Sequence, residues 1–344
     1  MKLILEILII VLGSAVLLGT VISHFAWDKW WINIISNLWQ QLTIVSLVVV
    51  ALTVLTLGLD HLWKQLFVGL LVVAIVYQIA MLVPYTTVYP KAVVDAAPSA
   101  PSGGSNNTGA PSAGNFQVMI ANINYESEDA QGLLDLVAET DPDVLQVMEF
   151  TEWWQSALAP LRKTYAHHVE VPQSNAYGMG IYSRIPLENV EVLHLEDPDT
   201  PAIYAELAFP TGERVIFYGL HPRPPLPSNS MESVTRELIQ VANRLSETTL
   251  PVIVGGDLND VPWSYTIREF RNISGLKEVR MGRGVINSFD AHRWYFQMPL
   301  DHIFLTPDLG LLGYELLPAF GSDHYALVAT FTAESAVAQP TPPE

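Results

Sequence analysis

The chain has 344 residues, of which 50% are hydrophobic, and its formal net charge at pH 7 is −18. This length holds one large domain or two ordinary ones, and the negative charge disfavours a general electrostatic grip on nucleic acid. The absence of cysteine excludes a disulfide framework and a thiolate metal site.

The first 85 residues contain three apolar runs that are long enough to cross a bilayer. They cover residues 3–25, 42–59 and 65–84, and Glu6 is the one acidic residue within them. A cleaved signal peptide would also explain the first run, since Lys2 gives it a basic start, but no small-residue cleavage site follows. We predict a membrane domain over residues 1–85 with three transmembrane helices.

Tryptophans and lysines near these runs bear on how the chain sits in a membrane. Trp27, Trp30, Trp31 and Trp39 lie between the first two runs, where an interfacial aromatic belt is expected. Three spans place the two termini on opposite sides, and the flanking lysines are nearly balanced between them. We predict that the N-terminus lies inside and that the domain after the spans lies outside the cytoplasm, with the lipid bilayer as a partner.

Two later segments lack any periodic apolar pattern. Residues 96–115 consist mostly of Ala, Pro, Ser, Gly and Asn, and the last dozen residues have the same character. We predict a flexible linker over residues 86–115 and a disordered tail over residues 333–344. After Asn115 the chain holds 13 Lys and Arg against 31 Asp and Glu, so the domain beyond the linker carries no strong basic patch for nucleic acid.

Strand-like and helix-like segments alternate between the linker and the tail, over residues 116–332. Apolar residues at helical spacing predict helices over 126–139 and 231–245, with Asn229 as the N-cap of the second. Apolar runs predict eight strands, over residues 116–122, 142–149, 178–183, 202–209, 214–221, 251–258, 300–305 and 325–331. The pattern predicts an α/β domain with enough strands for two stacked sheets.

Polar side chains stand at one end of most of these strands. They are Asn122, Glu149, His221, Asp257, Asn259, Asp301, His302, Asp323 and His324. Because ligand sites gather at strand ends in α/β sheets, these side chains are expected to converge on one cleft. Taken singly, each also fits an ordinary structural role, such as a turn residue, a solvated loop acid or a helix cap.

The order and spacing of these residues resemble the endonuclease/exonuclease/phosphatase superfamily of metal-dependent phosphoesterases. The resemblance covers about residues 116–332 and rests on six motifs in the family's order: "MIANIN", "PDVLQVMEF", "GLHPRPP", "VIVGGDLND", "LDHIF" and "GSDHYALVATF". It implies two stacked mixed β-sheets flanked by helices, a four-layer α/β sandwich like that of deoxyribonucleases. It also implies a metal-dependent phosphoric ester hydrolase in which water attacks phosphorus in line, without a covalent enzyme intermediate.

The resemblance implies a metal role for three of the polar side chains. Glu149 would bind Mg²⁺, or Mn²⁺ in its place, with Asn122 and Asp323 close by. Oxygen donors of this kind are the ligands that a hard cation such as Mg²⁺ prefers.

Catalytic roles are implied for five others. Asp257 would orient or deprotonate the attacking water, and Asn259 would hold that water or the phosphate. His221 and His324 would flank the phosphate and donate to its oxygens. Asp301 would hold the imidazole of His324 in one tautomer and favour its protonated form.

Three further residues are candidates for binding the substrate. Tyr177 and Gly178 resemble the family's segment that contacts the phosphate, although Tyr177 equally fits packing, whereas Arg223 fits either a substrate anion or an ordinary surface position. Trp294 lies in "SFDAHRWYF", residues 288–296, where the resemblance implies substrate-contacting residues, and its ring could stack on a ligand. The substrate itself stays open between a phosphodiester and a phosphomonoester. A phospholipid is favoured by membrane attachment, and a nuclease or a noncatalytic scaffold with the same fold is the alternative.

Overall fold

The computed structural model describes residues 2–25, 29–96 and 114–332, so the predicted tail and most of the predicted linker lie outside the described residues. The helices among them are α1 (Lys2–Ile22), α2 (Trp30–Asn37), α3 (Trp39–Leu52), α4 (Leu62–Leu82), α5 (Gln131–Thr140), α6 (Glu152–Ala157), α7 (Met231–Ser246) and α8 (Tyr265–Ser274). The strands are β1 (Asn115–Asn122), β2 (Val144–Met148), β3 (His167–Val171), β4 (Met179–Ser183), β5 (Leu187–Leu193), β6 (Ala202–Ala208), β7 (Arg214–Gly219), β8 (Val252–Asp257), β9 (Lys277–Glu278), β10 (Asp301–Leu305), β11 (Gly310–Leu316) and β12 (Leu327–Thr332).

Three helices of the N-terminal helical region, residues 2–85, are long and apolar enough to span a membrane. They cover Leu3–Ile22, Trp39–Leu57 and Leu62–Tyr85, the second ending in a π-helical turn and the third in a 3₁₀ turn. Large apolar side chains point outward, and Leu55 is 81% exposed. An apolar exterior on apolar helices of this length fits surroundings of lipid. Helix α2 lies between the first two long helices and was not predicted.

The α/β domain, residues 114–332, contains two six-stranded sheets. The first has the order β11-β12-β1-β2-β4-β3, and the second has the order β5-β6-β7-β8-β10-β9. Both sheets are mixed, since β1 and β2 pair in parallel, as do β7 and β8, while the remaining pairs are antiparallel. The eight predicted strands are the eight interior strands, and the four strands missed are the four edges.

The two sheets pack face to face with helices on their outer faces, which confirms the four-layer arrangement. Buried apolar side chains from both sheets, including Ile120, Phe217 and Ile253, form the central core. A second core under α5 and α6 covers the first sheet and contains Leu133 and Trp154. A third core lies under α7 and α8 on the second sheet.

Strand direction brings the predicted polar residues to one end of the sandwich. The parallel strands β1, β2, β7 and β8 end there, while the antiparallel strands β10 and β12 begin there. In the β8–β10 pair, Asp257 is directly opposite Asp301. One mouth of the sandwich therefore collects residues from both sheets.

Two local boundaries differ from the prediction. Helix α5 begins at Gln131 rather than at residue 126, because the chain before it forms turns, one of them closed by Ser127 N–H donating to Asn124 O at 3.0 Å. The N-cap of α7 is Ser230, whose hydroxyl accepts from Ser233 N–H, and not Asn229.

The described start of the predicted linker, residues 86–96, packs on the α/β domain. Val93 is buried in the central core, and Ala96 N–H donates to Leu311 O at 2.7 Å. Asp95 pairs with Arg283. Apolar burial and strand-like pairing therefore hold this part of the segment, and residues 97–113 lie outside the described part of the chain.

Candidate active site

Glu149 lies directly after β2 in a tight, left-handed backbone conformation with φ of 63°. Its Oε1 accepts a hydrogen bond from Asn122 Nδ2 at 2.9 Å, and its Oε2 accepts from the Tyr125 N–H at 2.8 Å. Burial raises the pKa of Glu149, and these two donors oppose that shift. The carboxylate is therefore held in one orientation at the mouth of the first sheet.

Asn122 connects the two sheets. Its amide nitrogen also donates to Asp257 Oδ2 at 3.1 Å, and its Oδ1 accepts from the Asn124 N–H at 3.1 Å. Asn122 was predicted beside the metal, but here its nitrogen, not its oxygen, faces the carboxylates. This orientation makes Asn122 a donor that spaces Glu149 from Asp257.

Asp257 is the centre of the cluster. Gly256 has φ of +152°, and a Cβ there would lie 1.8 Å from Leu220 O, so only glycine lets β8 approach the end of β7 this closely. That approach brings His221 Nε2 to 3.7 Å from Asp257 Oδ2. Burial raises the pKa of Asp257 and lowers the pKa of His221.

His324 forms a buried pair with Asp301. Its Nδ1 lies 2.8 Å from Asp301 Oδ2, and its Nε2 lies 3.5 Å from Asp257 Oδ2. Burial opposes protonation of this imidazole, but the charges of Asp301 and Asp257 outweigh burial and raise the pKa of His324 to about 10. Burial would likewise raise the pKa of Asp301, yet His324 lowers it overall. This geometry produces an imidazolium at neutral pH.

Asn259 and Asp323 border the cluster. Asn259 has φ of 54°, its N–H donates to Asp257 Oδ1 at 2.8 Å, and its Nδ2 donates to Pro222 O at 3.0 Å. Asp323 Oδ1 accepts from Asn124 Nδ2 at 3.3 Å. The structure thus brings the eight predicted catalytic and metal-site residues to one mouth of the sandwich.

Two of the three predicted substrate contacts lie beside this cluster. The ring of Tyr177 is 5.9 Å from that of His221, and the Arg223 guanidinium lies over the Tyr177 ring at 4.6 Å. Arg223 is also held by Asp197, with Nε 2.5 Å from Oδ2. Trp294 is 84% exposed, and its indole packs on Tyr295 rather than on a ring of the cluster.

Gly178 explains how Tyr177 reaches this place. A Cβ at Gly178 would lie 1.9 Å from Phe150 O, and Phe150 N–H donates to Gly178 O at 2.9 Å. Only glycine allows this close backbone approach. The segment that carries Tyr177 is therefore pinned beside Glu149.

The cluster has the composition of a site for a hard divalent cation. Glu149, Asp257 and Asp301 place three carboxylates in one cleft, and Asp301 Oδ1 is buried without a hydrogen-bond partner among the described residues. One atom each from Asp257, Asp301 and His324 lies within 4.8 Å of the other two, but Asp301 and His324 are paired with each other, which leaves Glu149, Asp257 and Asp323 as oxygen donors for a cation. Buried carboxylates are costly without a compensating positive charge, so the donor set fits Mg²⁺ or Mn²⁺.

Sequence reasoning missed residues that support the cluster. Asn124 bridges Asn122 and Asp323, and its own φ of 58° is one that asparagine tolerates better than most residues. The ring of Phe289 packs 4.9 Å from the ring of His324. The second asparagine of "NIN" was the available signal for Asn124, and the segment "SFDAHRWYF", residues 288–296, was the available signal for Phe289.

Comparisons with known proteins identify the family and support the fold. The model of the Endonuclease/Exonuclease/phosphatase family matches residues 119–324, and no curated protein matches the chain. The structure of D. rerio TDP2 complexed with single strand DNA product has a TM-score of 0.54 at 18% identity, over 63% of this chain and 98% of that one.

Two further solved structures are similar. The human Nocturnin catalytic domain with bound sulfate has a TM-score of 0.51 at 19% identity, over 63% of this chain and 94% of that one. The mannosyl-6-phosphatase of Bacteroides thetaiotaomicron VPI-5482 has a TM-score of 0.50 at 16% identity, over 63% and 99%. At these identities the likeness shows a shared fold.

Proposed function

Because the chain belongs to the endonuclease/exonuclease/phosphatase family and is therefore a phosphoric ester hydrolase, we propose that it is a membrane-anchored, Mg²⁺-dependent phosphoesterase. One observation carries this proposal. Asp257 Oδ2 lies 3.1 Å from Asn122 Nδ2, 3.5 Å from His324 Nε2 and 3.7 Å from His221 Nε2. Hydrogen-bond donors from both sheets thus surround one buried carboxylate. Such an arrangement can hold an attacking water against the carboxylate and an anionic phosphoryl group against the donors.

Asp257 is proposed to orient and deprotonate the attacking water. Burial raises the pKa of its carboxyl, and a less acidic carboxylate is a better base near neutral pH. The N–H of Asn259 fixes the other oxygen of Asp257 at 2.8 Å. The Asn259 side chain is proposed to hold the water or the phosphate when substrate is bound.

The two histidines are proposed to donate to the phosphoryl oxygens in different charge states. His324 is the cation, because Asp301 and Asp257 keep its pKa at about 10. His221 is neutral at pH 7, because burial lowers its pKa, and it donates through one N–H. A fixed positive charge beside the phosphate stabilises the charge that builds up during attack by water.

Glu149 and Asp323 are the proposed metal ligands, with Asn122 orienting Glu149. Mg²⁺ is proposed as the cation and Mn²⁺ as its substitute, because both bind oxygen donors. When bound, the cation would neutralise charge on the phosphoryl and leaving oxygens. Asp301 is directed to His324 and is proposed to stay outside the ligand set.

The substrate is proposed to be a phosphodiester or phosphomonoester of an amphiphile in the bilayer. Supporting this, the loop after Asp257 contacts Ser36 in the short helix α2 and Tyr85 at the end of the third long apolar helix, which is long enough to span a membrane. Tyr177 and Arg223 are proposed to contact the rest of the molecule. The charge of −18 disfavours nucleic acid, although one structural neighbour carries a DNA product.

Trp294 is proposed to meet the bilayer surface or the substrate there. It lies in the segment between Asn287 and Gln297, and these two residues bond Gln40 and Gln41 at the start of the second long helix. Exposed tryptophan is favoured at a membrane interface. The membrane domain is proposed as residues 1–85 and the catalytic domain as 116–332, with the catalytic domain outside the cytoplasm.

The test uses the full-length protein in detergent and in vesicles, with Mg²⁺ or Mn²⁺ supplied. Phospholipids, inositol phosphates and nucleic acids are offered in parallel, and released phosphate or cleaved product is measured. We expect hydrolysis of an amphiphilic ester that EDTA abolishes and that Asp257→Asn and His324→Gln each remove. The exposed Asp308→Asn is the matched control. Activity that survives EDTA or Asp257→Asn would refute the mechanism.

A further inference from the structure

The loop that follows the central carboxylate, residues 258–264, is held on its outer side by the N-terminal helical region. Trp263 Nε1 donates to Ser36 O at the end of α2 at 2.9 Å, and Tyr85 OH donates to Pro262 O at 2.8 Å. Val261 and Trp263 are buried in an apolar cluster that also contains Trp39. Both hydrogen bonds and apolar burial therefore fix this loop against residues more than 170 positions earlier in the chain.

Asn37, the last residue of α2, makes the contact nearest to the cluster. Its Nδ2 lies 3.5 Å from Asn259 O. With the side-chain amide turned by 180°, the nitrogen donates to Asp260 Oδ1 at 3.1 Å and to Asn33 O at 3.2 Å. The second orientation satisfies more groups, and assignment of an amide rests on such partners. Asn37 is buried, as is Asp260.

Asp260 connects Asn37 to the strand that carries Asp301, the partner of His324. Its backbone carbonyl lies 2.9 Å from His302 Nε2, and His302 Nδ1 lies 3.0 Å from Glu278 Oε1. His302 directly follows Asp301 in β10, and its side chain is buried. A buried polar chain thus runs from α2 through the loop to β10, whose Asp301 pairs with His324.

On the side that faces the cluster, Asn259 donates two hydrogen bonds, one to the Asp257 carboxylate and one to Pro222 O. Asparagine tolerates the left-handed backbone conformation better than most residues, but the conformation still carries a cost that the surroundings must offset. The outer support comes from α2 through Asn37 and Asp260. Without the contact between Asn37 and Asp260, the loop would keep the hydrogen bonds of Asn259 to Asp257 and Pro222, but it would lose the contact that restricts its position on the other side.

We propose that Asn37 is a positioning residue of the active site, and that α2 with Tyr85 forms the wall that holds Asn259 and Asp260 in the conformation used for hydrolysis. The inference rests on the proposed phosphoesterase function. It makes the helical region a structural part of the catalytic centre as well as an anchor. Misplacement of a catalytic group by about 1 Å costs on the order of 100-fold in rate.

The test exchanges the two buried partners in the full-length protein. Asn37→Asp places a second carboxylate against Asp260, and we expect kcat to fall about 10- to 100-fold with KM changed less than about threefold. The double variant Asn37→Asp with Asp260→Asn restores one carboxylate and one amide, so most of kcat should return. Asn33→Asp, the same substitution one turn earlier in α2, is the control and should keep wild-type kcat. Equal kcat in Asn37→Asp and Asn33→Asp would overturn the proposal, as would a loss that the double variant fails to restore.

A second measurement needs no substrate and separates this inference from the proposed function. Deuterium uptake by the peptide that covers residues 258–264 should be faster in Asn37→Asp than in Asn33→Asp, and normal again in the double variant. If Asn37→Asp fails to fold, Asn37→Ala takes its place in both measurements. Unchanged uptake refutes the positioning role, whereas changed uptake in a protein that hydrolyses no ester refutes only the function.

Discussion

The Asp301→Asn variant isolates the charge that keeps His324 protonated. Burial alone would lower the pKa of His324, but Asp301 and Asp257 raise it from 6.5 to about 10, which is roughly 5 kcal/mol at about 1.4 kcal/mol per pH unit. Asp301 Oδ2 lies 2.8 Å from Nδ1, whereas Asp257 Oδ2 lies 3.5 Å from Nε2. Because Coulomb attraction falls with distance, Asp301 supplies more than half of the raising effect, and since the two charges must also overcome burial, its share is at least about 3 kcal/mol.

Loss of that charge should change both the pH profile and the rate. The protonated form of His324 exists below its pKa, so the wild-type enzyme keeps the cation well into alkaline solution. A loss of about 3 kcal/mol moves the alkaline limb of the pH–rate profile down by about two pH units in Asp301→Asn. An amide also fixes the imidazole tautomer less firmly than a carboxylate does. We therefore expect kcat on the plateau to fall by about 10²- to 10⁴-fold.

Steady-state kinetics from mildly acidic pH to beyond the pKa of about 10 that His324 has in the wild type, with Mg²⁺ saturating at each point, measure both effects. Asp308→Asn, an exposed Asp-to-Asn change, is the matched control and should reproduce the wild-type profile. An alkaline limb that coincides with that of the wild type would show that Asp301 does not hold the titrating group. A shifted alkaline limb with an unchanged kcat plateau would show that Asp301 acts on His324 through its charge alone and does not orient the imidazole.

Three other outcomes are expected. Burial first, and then the charges of Asp197 and Glu196, raise the pKa of Glu237 from 4.5 to about 7, so its stabilising contribution is complete below pH 4.5 and is lost as pH rises through 7. Thermal unfolding of Glu237→Gln should therefore show a Tm higher by roughly 5–10 °C at pH 8 but not at pH 4. Metal titration of Glu149→Gln should require at least about 10-fold more Mg²⁺ for half-maximal activity. A reporter fused to the C-terminus should be active on the outer side of the membrane if the proposed topology is correct.

The interior of the two sheets was predictable from sequence, and the edges were not. All eight apolar runs became interior strands, because a strand buried on both faces needs continuous apolar residues. The edge strands β3, "HHVEV", and β5, "LENVEVL", are rich in charged and polar residues. Edge strands carry such residues because they discourage pairing with another chain. Their composition is therefore typical of a loop, and only their pairing with a neighbouring strand identifies them as strands.

Some features of the candidate site were likewise predictable from the sequence, and others were not. Polar residues at strand ends, such as Glu149 and Asp257, were visible because they interrupt apolar runs. The orientation of the Asn122 amide could not be predicted, because it depends on the Asn124 N–H and on the Asp257 carboxylate from the other sheet. The contact between Asn37 and Asp260 joins segments more than 200 residues apart. No local pattern encodes such a pair, since it exists only after both regions have folded and docked.

The cleft is assembled across the seam between the sheets, and the two halves have different supports. Glu149 belongs to the first sheet and is fixed by Asn122 and the Tyr125 N–H. Asp257 and Asp301 belong to the second sheet, on the side where α2 and Tyr85 dock. A disturbance of the helical region should therefore reach the water-activating half before the metal-binding half. Changes at α2 would then lower kcat while the Mg²⁺ requirement stays the same, and changes at Glu149 would do the reverse.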